Sequence, residues 1–134
     1  MLGRPRQTVR FVATGPAGDA VHAERTAAIL RSLGADEELV LAGALHDIAK
    51  PADTRLWHRV AGVLLAAIAP RVRERLARGD STFARYLDHA RRGADEARRR
   101  GSSERVIALI ARHHEAPRTE DERLLARADR EALP

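Results

Sequence analysis

The segment His46-Asp47-Ile48-Ala49-Lys50 places an imidazole, a carboxylate and an ammonium within five residues. Such a set can hold a cation and face an anion. Lys50 is the only lysine in a chain whose other fixed positive charges are all arginine. A compact ammonium on a flexible stem is not interchangeable with a planar guanidinium, so its use here points to a contact where the difference counts. Further imidazoles occur at His22, His58, His89, His113 and His114, and a further carboxylate at Asp129.

The elements that must position these groups are helical. The spacing predicts a helix from about Asp19 to Leu33, with Asp19 as N-cap and Gly34 just past the end. On it His22, Thr26, Ile29 and Leu33 share the stripe that should face the core. A second helix starts near Asp36. It puts Leu39, Gly43 and His46 on one face and Val40, Ala44 and Asp47 on the next, with Lys50 one turn beyond His46 and Pro51 as a stop.

Helices follow near Leu56–Ala69 and Arg71–Arg78. One long helix is expected from Phe83 to Arg100, with Tyr86, His89 and Gly93 on a stripe. Ser102 or Ser103 should cap a helix that carries Val106, Ile110 and His113 on one face and Ile107 and His114 on another. Thr119 and Glu122 form a capping-box pattern for the last helix, where Leu125 and Asp129 share a face. No segment alternates as a half-buried strand does. The reading is all-α, a single helical bundle of about six or seven helices. It takes residues 1–134 as one domain, with 1–16 as an N-terminal extension or short first helix.

Composition agrees. Hydrophobic residues make up 44% of the 134 residues but aromatics only 3%, so the core is built from Ala, Leu, Val and Ile. With no cysteine, thiolate metal sites are excluded and any cation is left to His, Asp and Glu. The net charge of +5 suits phosphate-bearing ligands, though arginines spread over solvated faces would give the same balance. No signal peptide is evident, and the longest apolar run, Val60–Ala69, is too short to cross a bilayer. A cytoplasmic protein without membrane contact is expected. The same Ala/Leu-rich run could pair with a second copy as a homodimer. Arg91-Arg92 and Arg98-Arg99-Arg100 could suggest nucleic acid, but the scarcity of aromatics removes stacking platforms.

Several ionisable groups on apolar stripes of separate helices cost too much to bury unless they converge on a shared partner. The order His22 … His46-Asp47 … Asp129 resembles the HD-domain superfamily of metal-dependent phosphohydrolases. The resemblance takes in the preceding Leu-Ala-Gly-Ala-Leu run and the following Lys50. His89 with Gly93-Ala94, and then Ile110-Ala-Arg-His-His-Glu115, are similar to the multi-metal members of that superfamily. The resemblance implies a first divalent metal on His22, His46, Asp47 and Asp129. Asp47 would bridge to a second on His89 and His113, with His114 a ligand or a support ranked below His113. Fe, Mn, Ni, Co and Zn all suit such donors.

The implied reaction is hydrolysis of a phosphoester or phosphoanhydride by a metal-activated water, on a nucleotide or related small molecule. Asp47 and Lys50 are the catalytic candidates. Lys50, and more weakly Arg25, would contact phosphate. The subfamily that cleaves cyclic dinucleotides carries Gly-Tyr-Pro after its His-His-Glu run. Ala116-Pro117-Arg118 stands here instead, so that substrate is not implied. His58 has no counterpart and reads as a core or surface residue. Two other outcomes fit the resemblance: a di-iron oxygenase on the same fold, or a non-catalytic module that senses a nucleotide.

Overall fold

The computed structural model describes residues 16–133, and all regular structure in that span is helical. The elements are α1 (Pro16–Ser32), α2 (Glu37–Leu45), α3 (Leu56–Ile68), α4 (Pro70–Ala77), α5 (Thr82–Leu87), α6 (His89–Arg99), α7 (Glu104–Ala111) and α8 (Glu120–Glu131). The expectation for residues 1–16 falls outside the described span except at Pro16, which opens α1.

α2 is apolar on nearly every side after its first turn, and it packs against α1, α7 and α8. Its Leu39, Val40 and Ala42 join Leu30 of α1, Ala94 and Ala97 of α6, Val106 and Ile110 of α7, and Leu125 of α8 in one core. Small and branched aliphatics fill it, as the low aromatic content requires. α3, α4 and α5 pack mainly on one another, and α5 leads into α6. No residue of α4 is buried, and of α3 only His58 and Gly62 are.

Local chemistry explains most helix ends. The side chains of Asp36, Ser81, Ser103 and Thr119 accept from the backbone N–H three residues on, which satisfies one of the free donors of a first turn. Glu122 completes the capping box by accepting from Thr119 N at 3.2 Å. Gly34 ends α1 at φ 80° and Gly101 follows α6 at φ 82°, conformations that side-chain-bearing residues avoid. Arg105 of α7 then ties the bundle together. It donates to Asp36 at 2.7 Å, ahead of α2, and to Asp121 of α8 at 2.9 Å.

Three expectations are corrected. Eight helices are present among the described residues, because the segment from Phe83 to Arg100 is divided at Asp88. There the His89 ring occupies the Tyr86 carbonyl, and the Asp88 carboxylate accepts from Arg92 at 3.1 Å and also pairs with Arg91. Helical spacing continues across this break, so the pattern of apolar residues does not reveal it. Asp19 does not cap α1. It lies in the first turn of a helix that starts at Pro16, a residue suited to that position. Finally, α2 and α7 stop at Leu45 and Ala111, so His46-Asp47 and His113-His114 sit just past helix ends.

At Gly43, α2 packs directly against side chains of α1. A Cβ there would lie 2.3 Å from Leu30 Cδ1 and 3.3 Å from Thr26 Cγ2. Leu30 and Thr26 are fully buried and have little room to yield. Gly43→Ala should therefore lower stability by about 1–3 kcal/mol through overpacking. Denaturant unfolding would check this, and an unchanged midpoint would contradict the packing described.

Candidate metal centre

Helix ends supply the site. The last carbonyls of a helix have no intrahelical donor. In three places an imidazole three residues on fills that gap. His46 Nδ1 donates to Gly43 O at 2.7 Å, His89 Nδ1 to Tyr86 O at 2.6 Å and His113 Nδ1 to Ile110 O at 2.6 Å. Each bond fixes the ring and commits the Nδ1 proton outward, so Nε2 faces the space between the helices. This is the arrangement that orients a metal-binding histidine.

Asp47 sits among these rings, and its two oxygens look different ways. Oδ1 lies 3.0 Å from His89 Nε2 and 3.4 Å from His113 Nε2. Oδ2 lies 3.3 Å from His46 Nε2 and 3.8 Å from His22 Nε2. Asp129, from α8, brings Oδ1 to 2.7 Å from His22 Nε2 and 3.0 Å from His46 Nε2. Two groups that could hold a cation result: His22, His46, Asp47 and Asp129, and Asp47, His89, His113 and His114. Within each, the donor atoms lie within 4.8 Å of one another. Asp47 belongs to both.

The residues present fit a cation. His113 Nε2 is buried without a hydrogen-bond partner. His114 Nε2 lies 2.7 Å from His89 Nε2. A neutral His89, with its proton on Nδ1, offers a lone pair there, so the short approach needs a proton or a cation between the rings. Oxygen and nitrogen donors without sulfur suit divalent first-row metals.

The electrostatics are those of a site held by opposed charges. Burial works against the charged form of His46, but hydrogen bonding to Asp129 and Asp47 and the charges of both push it up to about 10. Burial likewise works against ionised Asp47, and the imidazoles of His113, His46 and His89 outweigh it, holding the carboxyl well below its usual range. Asp129 is lowered for the same balance of reasons, with His22 and His46 as its partners. His114 moves the other way. Although the residue as a whole is exposed, its ring is largely stripped of water, and its Coulombic coupling to the neighbouring rings of His113 and His89 adds to push it down to about 3.

All six expected ligands are brought together, and so is His114, which the sequence ranked lower. The His-His dipeptide lies in the turn just past the end of α7, so both rings turn toward the same space instead of lying on separate helix faces. Lys50 is nearby in sequence but already paired. Its side chain is 6% exposed, and Nζ donates to Asp19 Oδ1 at 2.6 Å. That pairing has no signal in the sequence beyond the two charges. Arg25 is half-buried and makes no hydrogen bond or ion pair among the described residues. His58 stays outside the site. Its Nδ1 accepts from Arg55 N at 2.7 Å at the start of α3, and its ring lies against Trp57 and Phe83.

The arginine runs of α6 are engaged on their own helix. Arg91 pairs with Asp88 and Asp95, Arg98 with Asp95, and Arg99 and Arg100 with Glu96. They are solvated faces rather than a free basic stripe. With Ile48 and Ala49, several of them line a polar groove of about 440 Å³.

The family model for the HD domain matches residues 20–133, which takes in both groups of ligands. The chain belongs to the HD-domain family. Members of this family are generally metal-dependent phosphohydrolases. Comparison with curated proteins and with solved structures found no match. No helix of the described residues of this HD domain is long and apolar enough to cross a membrane.

In metal-free protein, imidazole ¹⁵N shifts should show His46 doubly protonated at about pH 8 and His114 still neutral at about pH 5, on either side of the ordinary value near 6.5. Titration of both rings near that ordinary value would contradict the environment described.

Proposed function

We propose that this HD domain is a phosphohydrolase that uses two divalent transition-metal ions and cleaves a phosphoester or phosphoanhydride of a nucleotide or related small molecule. The reading rests on Asp47, whose Oδ1 faces His89 and His113 while Oδ2 faces His46 and His22. A carboxylate placed so is suited to bridge two cations. His22, His46, Asp47 and Asp129 would hold one, and Asp47, His89, His113 and His114 the other. Bound there, the metals supply an activated water and positive charge for phosphate oxygens.

The chain's own groups do the rest. The helix-end carbonyls hold His46, His89 and His113 in one tautomer, so these rings need no reorganisation when charge builds at the phosphate. Lys50 carries three N–H donors, and Asp19 occupies one. The other two remain for a phosphate oxygen, with Asp19 fixing the direction of the ammonium. Arg25 is the weaker candidate for such a contact.

The Lys50–Asp19 pair also bears on a second reading, an oxygen-activating di-iron centre. Such a centre wants the same shared carboxylate, and a lysine already partnered is less clearly a phosphate ligand. A non-catalytic nucleotide sensor would keep the ligands but turn nothing over.

The test is a panel of nucleotides, dinucleoside polyphosphates and simple phosphoesters, run with metal-loaded protein and with Lys50→Gln. Phosphate release is expected. The Gln amide can still donate to Asp19, so Lys50→Gln should keep its metal while kcat/KM falls about 100-fold, the scale set by loss of one preorganised donor. Oxygen consumption by iron-loaded protein without phosphate release would establish the oxygenase instead. Substrate binding without turnover of any kind would establish the sensor.

A further inference from the structure

α3 carries the largest unexplained feature of the surface. Leu56, Trp57, Val60, Val63, Leu64 and Ile68 are all exposed, with Leu56 at 71%, Val63 at 69% and Ile68 at 78%. At 3.6 residues per turn they occupy one broad arc, while His58 and Gly62 face the opposite way, toward α5. The inner side of α3 already has its partner. The outer side is an apolar face that no other described element covers, except that the Trp57 ring, at its edge, leans on His58 and Phe83 with more than half of the residue still in water.

The area is too large to be incidental. With every one of the six more than half exposed, they leave several hundred Å² in water, at or above the ~300–600 Å² of the largest apolar patch on an ordinary monomer. It approaches the ~800 Å² that each partner contributes to a standard stable interface. The arc bears no charge, and the only ionisable residues of α3, His58 and Arg59, lie off it. A partner recognised through charge has nothing to read here. A second copy of a chain with net charge +5 can meet this face without setting like charges opposite each other. Trp57, Val60, Leu64 and Ala67 follow the alternating three- and four-residue spacing with which two identical helices interdigitate about a two-fold axis.

We infer that the outer face of α3 is a homodimer interface, α3 against α3 of a second copy, with Trp57 as its aromatic anchor. Fully covered, the two faces would approach the ~1,200–2,000 Å² of stable complexes. The inference stands apart from the metal centre, whose ligands lie on other helices and turns.

Trp57 is the only tryptophan in the chain, so its fluorescence reads the interface directly. Sedimentation equilibrium of the full chain should show a dimer with a dissociation constant of order micromolar or tighter. Trp57 emission should shift to the red on dilution into the monomer range. Val63→Glu, at a position exposed in the monomer, should keep its helical circular dichroism, sediment as a monomer and emit at the red-shifted position at every concentration. A monomer at about 100 μM would overturn the inference. So would a blue-shifted Trp57 in a monomer, which would mean the chain covers its own face. So too would a monomer that binds vesicles of phosphatidylcholine and phosphatidylglycerol through Trp57.

Discussion

A single carboxylate, Asp47, is the constraint around which the bundle is organised. It is largely withdrawn from water and surrounded by imidazoles from four separate stretches of chain. An ionised carboxyl in such a place is tolerable only if those partners stay where they are. Three of them, His46, His89 and His113, are in turn fixed by backbone carbonyls at the ends of α2, α5 and α7. These helix ends, usually the loosest part of a helix, are therefore tied down by side chains of the site itself. Arg105, the Thr119–Glu122 box and the close contact at Gly43 all serve to keep α1, α2, α7 and α8 at the distances that Asp47 requires.

Much of this was legible in the sequence, because the signals were local. Turn residues and caps divided the chain nearly where it divides. Helical spacing put His22, His46 and Asp129 on inward faces. The break at Asp88 was not legible, since it depends on side-chain bonds that leave the spacing of apolar residues unchanged. The place of His114 was ranked below that of His113 for a related reason. A helical wheel puts neighbouring histidines about 100° apart, but a turn just past a helix end lets both face the same way. The Lys50–Asp19 pair joins two elements, and nothing in the spacing of either residue indicates the other.

Lys50 shows how the structure changes the meaning of a motif. In the sequence it is the one lysine, free to meet a phosphate. In the fold it is a nearly buried ammonium with a carboxylate already in place. Removing one member of a buried pair strands the other, typically at a cost of about 3–5 kcal/mol. Lys50 thus joins the turn after Asp47 to the first turn of α1, the helix that brings His22. Holding the site together takes one of its three N–H donors, and the proposed contact with a substrate phosphate would draw on the others.

The outer face of α3 belongs to a different level of organisation. The α3–α4–α5 segment adds little to the main core, and one side of it remains apolar in water. The site is built inside the bundle and the exposed face outside it, so each can fail without the other. The most direct test of the whole structure is the metal content of purified protein, measured for the natural chain and for Asp47→Asn. If Asp47 joins the two groups of ligands, the natural chain should carry two equivalents and Asp47→Asn should lose both together, while retaining its helical circular dichroism. Full metal content in Asp47→Asn would contradict the shared carboxylate on which the site is built.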